Sequence, residues 1–477
     1  MQHPTRRTVL ALAALAAHAA RPLWAAAAPD VIVLGAGLAG LNAALLLEER
    51  GLRVCVLEAS ARIGGRLHTL FSLPGQPETG GVQIGAAYTR TVAVVQRLGL
   101  QLSPSPRSPL LADDGLVMFV RGQRFTRAEW AASSANPFPE AVRNLPPDRA
   151  LLRLIGTSPL ADINAWRSPA VQAFDVPADS ELQAQGLNAE ALRLLDVSNS
   201  YGQTLAQTSR LNLHYVQSNI AHIVKTPGPV QNVVGGNQRL PEAMVRALKG
   251  DVLLRRAVVA VDSRTRAHTT VHCADGSRHS ARFVVCALPL PALRRVRFSP
   301  GLPSRHAQAV QQLAYGHVTQ LHLQVLRPFW QADGLLPYLW SDGPLERIFP
   351  IDPLGNGQAQ TLTVWVNGEG TAPWDMLSDE QAGVRVADEL ARVYPASRGA
   401  VRLARRVAWH QNPWAGGSWA NWAPGQISRY AGQLALPLGA VHFCGEHTAL
   451  GIRGIEGAME SGERAAREIL ARIGVGN

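Results

Sequence analysis

A short apolar run, Val31-Ile32-Val33-Leu34, passes directly into Gly35-x-Gly37-x-x-Gly40 and then into a helical stretch, Leu41 to Arg50, closed by Gly51. The next apolar run, Arg53 to Leu57, ends in Glu58, 18 residues after Gly40. Strand, glycine turn, helix, strand and acid in this order commit the chain to a parallel sheet that carries a nucleotide at its carboxyl edge. Gly35 permits the tight turn, Gly37 lets the backbone approach a pyrophosphate, and Gly40 lets the helix pack on the strand. The helix N-terminus supplies the positive end of its dipole. A carboxylate at Glu58, rather than an arginine, accepts ribose hydroxyls and points to an unphosphorylated ribose, hence FAD or NAD and not NADP.

At 477 residues the chain is long enough for two or three domains, and 47% apolar with 17% charged residues gives it large cores without a multi-span membrane composition. The formal charge is +11, yet only Lys225 and Lys249 are lysines among 46 basic residues. The remaining arginines are dispersed, so no nucleic-acid footprint forms. Cys55, Cys273, Cys286 and Cys444 lack CxxC spacing, which excludes haem attachment and zinc ribbons. Buried free thiols fit better than a disulfide framework. Thr5-Arg6-Arg7-Thr8-Val9-Leu10, an apolar run to Ala20 and the small residues Ala25 to Ala28 resemble a twin-arginine export signal, too short to span a membrane. The expected destination is the periplasm or the medium.

Arg62-Ile63-Gly64-Gly65-Arg66 follows Glu58, and this spacing resembles the flavin amine oxidase family, relatives of monoamine, polyamine and L-amino-acid oxidases. The resemblance continues through Gly80-Gly81-Val82-Gln83-Ile84-Gly85, Gly235-Gly236-Asn237-Gln238-Arg239-Leu240-Pro241, Val258 and Cys286-Ala287-Leu288-Pro289. It closes with Phe443-Cys444-Gly445-Glu446-His447-Thr448 and the helix from Gly454 to Leu470. It implies an α/β fold: a Rossmann-like FAD-binding domain made from residues 29–90, 230–295 and 405–477, interleaved with an α+β substrate domain made from 91–229 and 296–404. Pro-broken helices at 125–215 are expected to roof the substrate cavity. Strands are expected at Val318 to Val325 and Thr361 to Val366, the first alternating Thr319, Leu321, Leu323 and Val325 against Val318, Gln320, His322 and Gln324.

By position, the resemblance implies FAD contacts at Gly35, Gly37, Leu38, Ala39, Gly40, Glu58, Ala59, Ser60, Gly65, Arg66, Gly81, Val258, Gly445 and Glu446. It places Val82, Gln83 and Ile455 near the isoalloxazine. Trp409 and Trp419 take functional positions at the flavin, Trp419 as one wall of an aromatic cage, while Trp414 and Trp422 read as core. An indole wall would orient a neutral amine for hydride transfer from its α-carbon, chemistry that needs positioning and exclusion of water and no strong base.

Ser418 stands where some members carry the cysteine that binds flavin covalently, so FAD is expected without a covalent link. Gln320 stands where many carry a lysine that assists reaction with oxygen, which leaves oxygen or a periplasmic carrier as the electron acceptor. Gly454 and Ile455 replace a second aromatic wall. Gln83 replaces an arginine that anchors carboxylates; Arg453 is expected to form a structural ion pair, with an anionic anchor from another direction as the alternative. His442, Cys444 and His447 lack a fourth ligand nearby and are not expected to hold a metal. The implied activity is FAD-dependent oxidation of an amine C–N bond to an imine that hydrolyses. The alternatives are a C–C desaturase resembling the protoporphyrinogen oxidase relatives, or an FAD-stabilised accessory protein.

Overall fold

The continuous apolar strand Val31–Leu34 is sealed on both faces in the computed structural model, which describes residues 28–105, 115–197, 199–265, 267–352 and 357–474. Such runs belong to parallel sheets covered on both sides. Five parallel strands lie in the order Val441–Phe443, Phe283–Cys286, Val31–Leu34, Val54–Leu57, Val252–Leu253. The order reverses at Val31–Leu34, so the crevice beyond its carboxyl end is a topological switch point. One face packs on helices Leu38–Glu49 and Gly454–Arg472 through Leu41, Leu45, Met459 and Ile469. The first of these helices starts at Leu38, three residues before the expected Leu41, because Gly37 is already its N-cap. The other face packs on Tyr315, Trp422 and Tyr430.

A seven-stranded sheet forms the second layer, in the order Val401–Ala408, Val318–Val325, Thr361–Asn367, Arg347–Ile351, Tyr338–Ser341, Leu116–Val120, Gln123–Phe125. Leu321 and Leu323 pack under helix Asp379–Val393. The opposite face of the same strand is buried as well, with Gln320 and His322 fully enclosed. Short helices between Arg127 and Lys225 build the roof around Trp130, Phe138 and Leu194.

Three expected borders move. Helix Thr89–Arg97 buries Val94 and Val95 in the nucleotide-side core, so that layer extends past residue 90. Arg297–Ser299 pairs with Val258–Asp262, which carries it past 295. Strand Val401–Ala408 pairs along its length with Val318–Val325, so the border at 405 falls inside a strand of the substrate sheet. The expected export signal lies outside the described residues up to residue 27. No helix among the described residues is long and apolar enough to cross a membrane. All four cysteines are free thiols.

Candidate functional site

The carboxyl ends of Val31–Leu34 and Phe283–Cys286 define one end of the site. A Cβ on Gly40 would lie 2.1 Å from the Gly35 carbonyl oxygen, so only glycine allows this helix to sit on this strand. A Cβ on Gly37 would meet no protein atom within 4 Å, and one on Gly65 would lie 3.4 Å from the Gly37 Cα. Gly65 therefore packs on the Gly37 backbone, while the space in front of Gly37 is free of protein atoms, beside the N–H groups of Leu38 and Ala39 in the first helical turn. This is a cradle for a diphosphate.

At the next strand end Glu58 is 7% exposed, and its two oxygens accept from the N–H groups of Ala36 and Ser60, each at 2.8 Å. The carboxylate is thus fixed to both loops that flank a ribose position. Ala59 is half-buried beside it. The Glu58 carbonyl accepts from Arg256, which leads into strand Val258–Asp262 and brings Val258 to the same edge.

Arg66 closes the other end. Its guanidinium donates to Glu446 and to the Ser418 carbonyl, each at 2.9 Å, and lies over the Tyr315 ring at 5.5 Å. Glu446 also accepts from the Ala420 N–H at 3.0 Å. Burial is the largest single influence and would raise the Glu446 carboxyl, but the Arg66 charge and hydrogen bond, with His447 and the Ala420 N–H, together hold the group below its ordinary range. Gly445, at φ +128°, brings Glu446 into this position, since a Cβ there would strike the His447 ring at 2.5 Å. One carboxylate thereby ties the arginine of the glycine-rich loop to Ala420, which follows Trp419 and starts the short strand Ala420–Asn421.

Around that latch, a Cβ on Gly81 would meet Leu67 at 1.9 Å and Ile455 at 3.3 Å, so Ile455 packs on bare backbone at Gly81. The Gly81 and Val82 carbonyls accept from Asn237 at 2.7 Å and Asn232 at 2.6 Å, which fixes the path of Val82 and the half-buried Gln83. Trp419 is half-buried, and its indole N–H donates to the Ser200 carbonyl at 3.0 Å. Trp409 is placed differently. It is 3% exposed, donates to the Thr79 carbonyl at 2.7 Å and rests against Gly80, a buttress under the ribbon while Trp419 keeps an open face. Trp422 is core, beside Trp166. Trp414, expected in the core, is 39% exposed, because its loop turns outward with only its backbone held by Asn412.

Sequence reasoning missed the polar partners of Gln320 and a buried acid, Glu78. Gln320 directs its amide oxygen to His322 at 3.2 Å, and His322 meets Thr363 at 3.0 Å, which leaves the Gln320 amide nitrogen without a partner among the described residues. Burial pushes His322 down to about 3, so its ring is neutral. Glu78 accepts from Thr69 at 2.8 Å and from the Asn237 N–H at 2.6 Å, and burial raises it to about 7 despite these bonds. No local pattern marks Glu78, whose partner Asn237 lies 159 positions away. Between its ordinary value near 4.5 and about 7 the folded chain holds a proton that the unfolded chain has lost. Stability from this group therefore falls as pH rises through that window. Glu78→Gln, which mimics the protonated form, is expected to flatten this part of the melting temperature against pH curve.

His442 pairs with Glu468 at 2.7 Å, and no metal-holding group of His, Cys, Asp or Glu occurs among the described residues. Arg453, expected in an ion pair, has no carboxylate within pairing distance among the described residues. It donates instead to the Ala420 carbonyl at 3.4 Å and lies over the Tyr215 ring at 5.8 Å.

The family described as flavin containing amine oxidoreductase matches residues 38–470. The chain belongs to this family. Among curated relatives, bovine flavin-containing amine oxidase A is 25% identical over 93% of this chain and 85% of its own length. Human flavin-containing amine oxidase B is 26% identical over 93% and 86%. An engineered putrescine oxidase superposes with a TM-score of 0.76 at 25% identity, covering 93% of this chain and 99% of that one. Cyclohexylamine oxidase from Brevibacterium oxydans, at 24% identity and a TM-score of 0.76, shares the fold over 94% of this chain and 100% of its own.

An amine oxidoreductase of this family uses FAD, and the residues present fit it. The protein-free space before Gly37 suits a diphosphate, and the doubly anchored Glu58 at the adjacent strand end suits a ribose. The Ser418 hydroxyl donates to the Gly316 carbonyl at 3.0 Å.

Proposed function

We propose that this FAD-dependent amine oxidoreductase removes a hydride from the α-carbon of a neutral amine held against Trp419, with FAD bound non-covalently. FAD supplies the hydride acceptor. The observation that most supports this reading is the Arg66–Glu446–Ala420 connection, which ties the glycine-rich loop that carries Arg66 to the residue after Trp419. The indole, pinned at its N–H, offers a flat apolar face that favours the unprotonated amine and excludes water. The lone pair of that amine stabilises the developing iminium, so no side chain is asked to take a proton from carbon. Water then converts the imine to a carbonyl compound and an amine or ammonia. Incubation with an amine and an artificial electron acceptor is expected to yield carbonyl product and reduced acceptor in equal amounts; reduced acceptor without carbonyl product would contradict the reading.

The proposed electron acceptor is a carrier or quinone rather than oxygen. Gln320 is fully buried and uncharged, with its amide oxygen turned to a neutral His322. A cation there would stabilise superoxide-like character; an amide does so weakly. Reoxidation of the reduced protein by air is expected to be slow in stopped flow, and Gln320→Lys is expected to speed it roughly 10- to 100-fold. Fast reoxidation of the wild type would overturn this. Arg6-Arg7, the apolar run to Ala20 and Ala25 to Ala28 support the further proposal of export by the twin-arginine route. Replacing both arginines with lysine is expected to retain the protein in the cytoplasm.

A further inference from the structure

Arg453 is a half-buried cation with no counter-charge among the described residues. The carboxylates on neighbouring elements are committed elsewhere. Glu446 takes Arg66 and the Ala420 N–H. Glu456 takes the backbone N–H groups of Arg90 and Thr91. Glu460 takes those of Leu450 and Gly451. Of the five N–H donors of the guanidinium, one reaches a carbonyl, at 3.4 Å. A half-buried guanidinium with most of its donors unmet by protein is a ready partner for an anion.

Its position is built. The Arg453 backbone N–H donates to the Asn219 side chain at 2.8 Å, and Asn219 in turn donates to the Tyr215 carbonyl at 2.9 Å. Tyr215 is clamped through its hydroxyl to Gly451 at 2.7 Å, with Trp166 stacked on it at 4.4 Å. The guanidinium lies over the same ring, held between the roof helix Arg210–Lys225 and the start of helix Gly454–Arg472. The carbonyl it reaches belongs to Ala420, the residue after Trp419. On its other side is Gly454, at φ +68°, where a Cβ would meet no protein atom within 4 Å. The Arg453 charge is also felt at Tyr88 and Tyr201, where it opposes the rise that burial imposes on both phenols.

We propose that Arg453 anchors a carboxylate of the substrate, so that the physiological amine is an amino acid in the broad sense, its C–N bond against Trp419 and its carboxylate on the guanidinium beside Gly454. This rests on the amine-oxidation reading and deepens it. The absence of an arginine at Gln83 then marks a different direction of approach rather than loss of anionic substrates.

The test uses matched pairs, phenylalanine against phenethylamine and γ-aminobutyrate against n-butylamine, in anaerobic stopped-flow reduction of the FAD-loaded protein. Benzoate, which cannot be oxidised, serves as a second probe, titrated by the flavin difference spectrum. For at least one pair the wild type is expected to bind the carboxylated member more tightly. Arg453→Gln is expected to weaken that member and benzoate about 10- to 100-fold while leaving the uncharged partner within about twofold. Arg453→Lys is expected to restore part of the loss, which separates anion binding from damage to the fold. Equal weakening of both members, or a wild type that prefers the uncharged member of both pairs, would overturn the proposal. So would an altered flavin potential in Arg453→Gln with benzoate affinity unchanged. If no amine reduces the flavin, amine oxidation itself fails, and the benzoate titration still decides whether Arg453 holds a carboxylate.

Discussion

Gly37→Ala is expected to fold as the wild type does and to emerge without its cofactor. The backbone at Gly37 has φ −81° and ψ 173°, an extended conformation open to any residue, and the added methyl would touch no protein atom within 4 Å. The apo melting temperature should therefore stay where it is. The methyl instead projects into the protein-free space in front of Gly37 that the diphosphate needs. Breaking or lengthening two charge-assisted hydrogen bonds from backbone to phosphate weakens FAD binding by about 100-fold or more. Gly40→Ala is the contrasting variant. Its methyl meets the Gly35 carbonyl oxygen at 2.1 Å, so strand and helix must part, and both apo stability and FAD binding should fall. Measuring apo melting temperature and FAD titration on the two variants separates a phosphate cradle from a merely structural glycine turn.

The second large effect is expected at Arg66. Arg66→Ala leaves Glu446 with 9% of its side chain exposed and no cation beside it. Removing one partner of a buried pair costs about 3 kcal/mol, because the remaining charge keeps its desolvation penalty. In the wild type the depressed Glu446 carboxyl contributes stability above its ordinary pKa, which is lost as pH falls through the folded value. Without Arg66 burial is opposed only by His447 and the Ala420 N–H, so Glu446 takes up a proton more readily and the sign is expected to reverse: the variant should lose stability as pH rises from acid toward neutral. Adding Glu446→Gln removes the uncompensated charge and should recover part of the loss. FAD affinity should remain low in both, since the guanidinium that holds Glu446 and the Ser418 carbonyl in place is gone from each. Thermal melts across pH on the two single variants and the double variant measure this coupling.

The nucleotide half of the fold was legible because its signals are local. Strand, turn and helix lie within Val31 to Glu49, and Gly40 answers first to Gly35 and Val33, only a few residues away. Trp419 and Gln320 could be located only through the family resemblance, since nothing in their own surroundings sets them apart from core residues. Features made by distant contacts were not legible. Helix Thr89–Arg97 joins the nucleotide-side core because Glu456 accepts from the Arg90 and Thr91 N–H groups, the latter 365 positions away, and takes the place of a cap that Tyr88 does not provide. The border expected at 90 could not register that contact. Arg453 looked like half of an ion pair because acidic residues surround it in sequence; Glu446, Glu456 and Glu460 are all turned to other donors. Trp414 looked like core by composition, and the outward turn held by Asn412 exposes it.

The central claim is that FAD lies across this chain with its reactive ring at Trp419 and takes hydride from an amine. Anaerobic titration of the purified, FAD-loaded protein with a panel of primary, secondary and cyclic amines tests it most directly. Loss of the yellow flavin absorbance with at least one amine, in proportion to the carbonyl compound formed, is the result expected. A protein that binds no FAD, or that holds it and stays oxidised with every amine, would contradict the account.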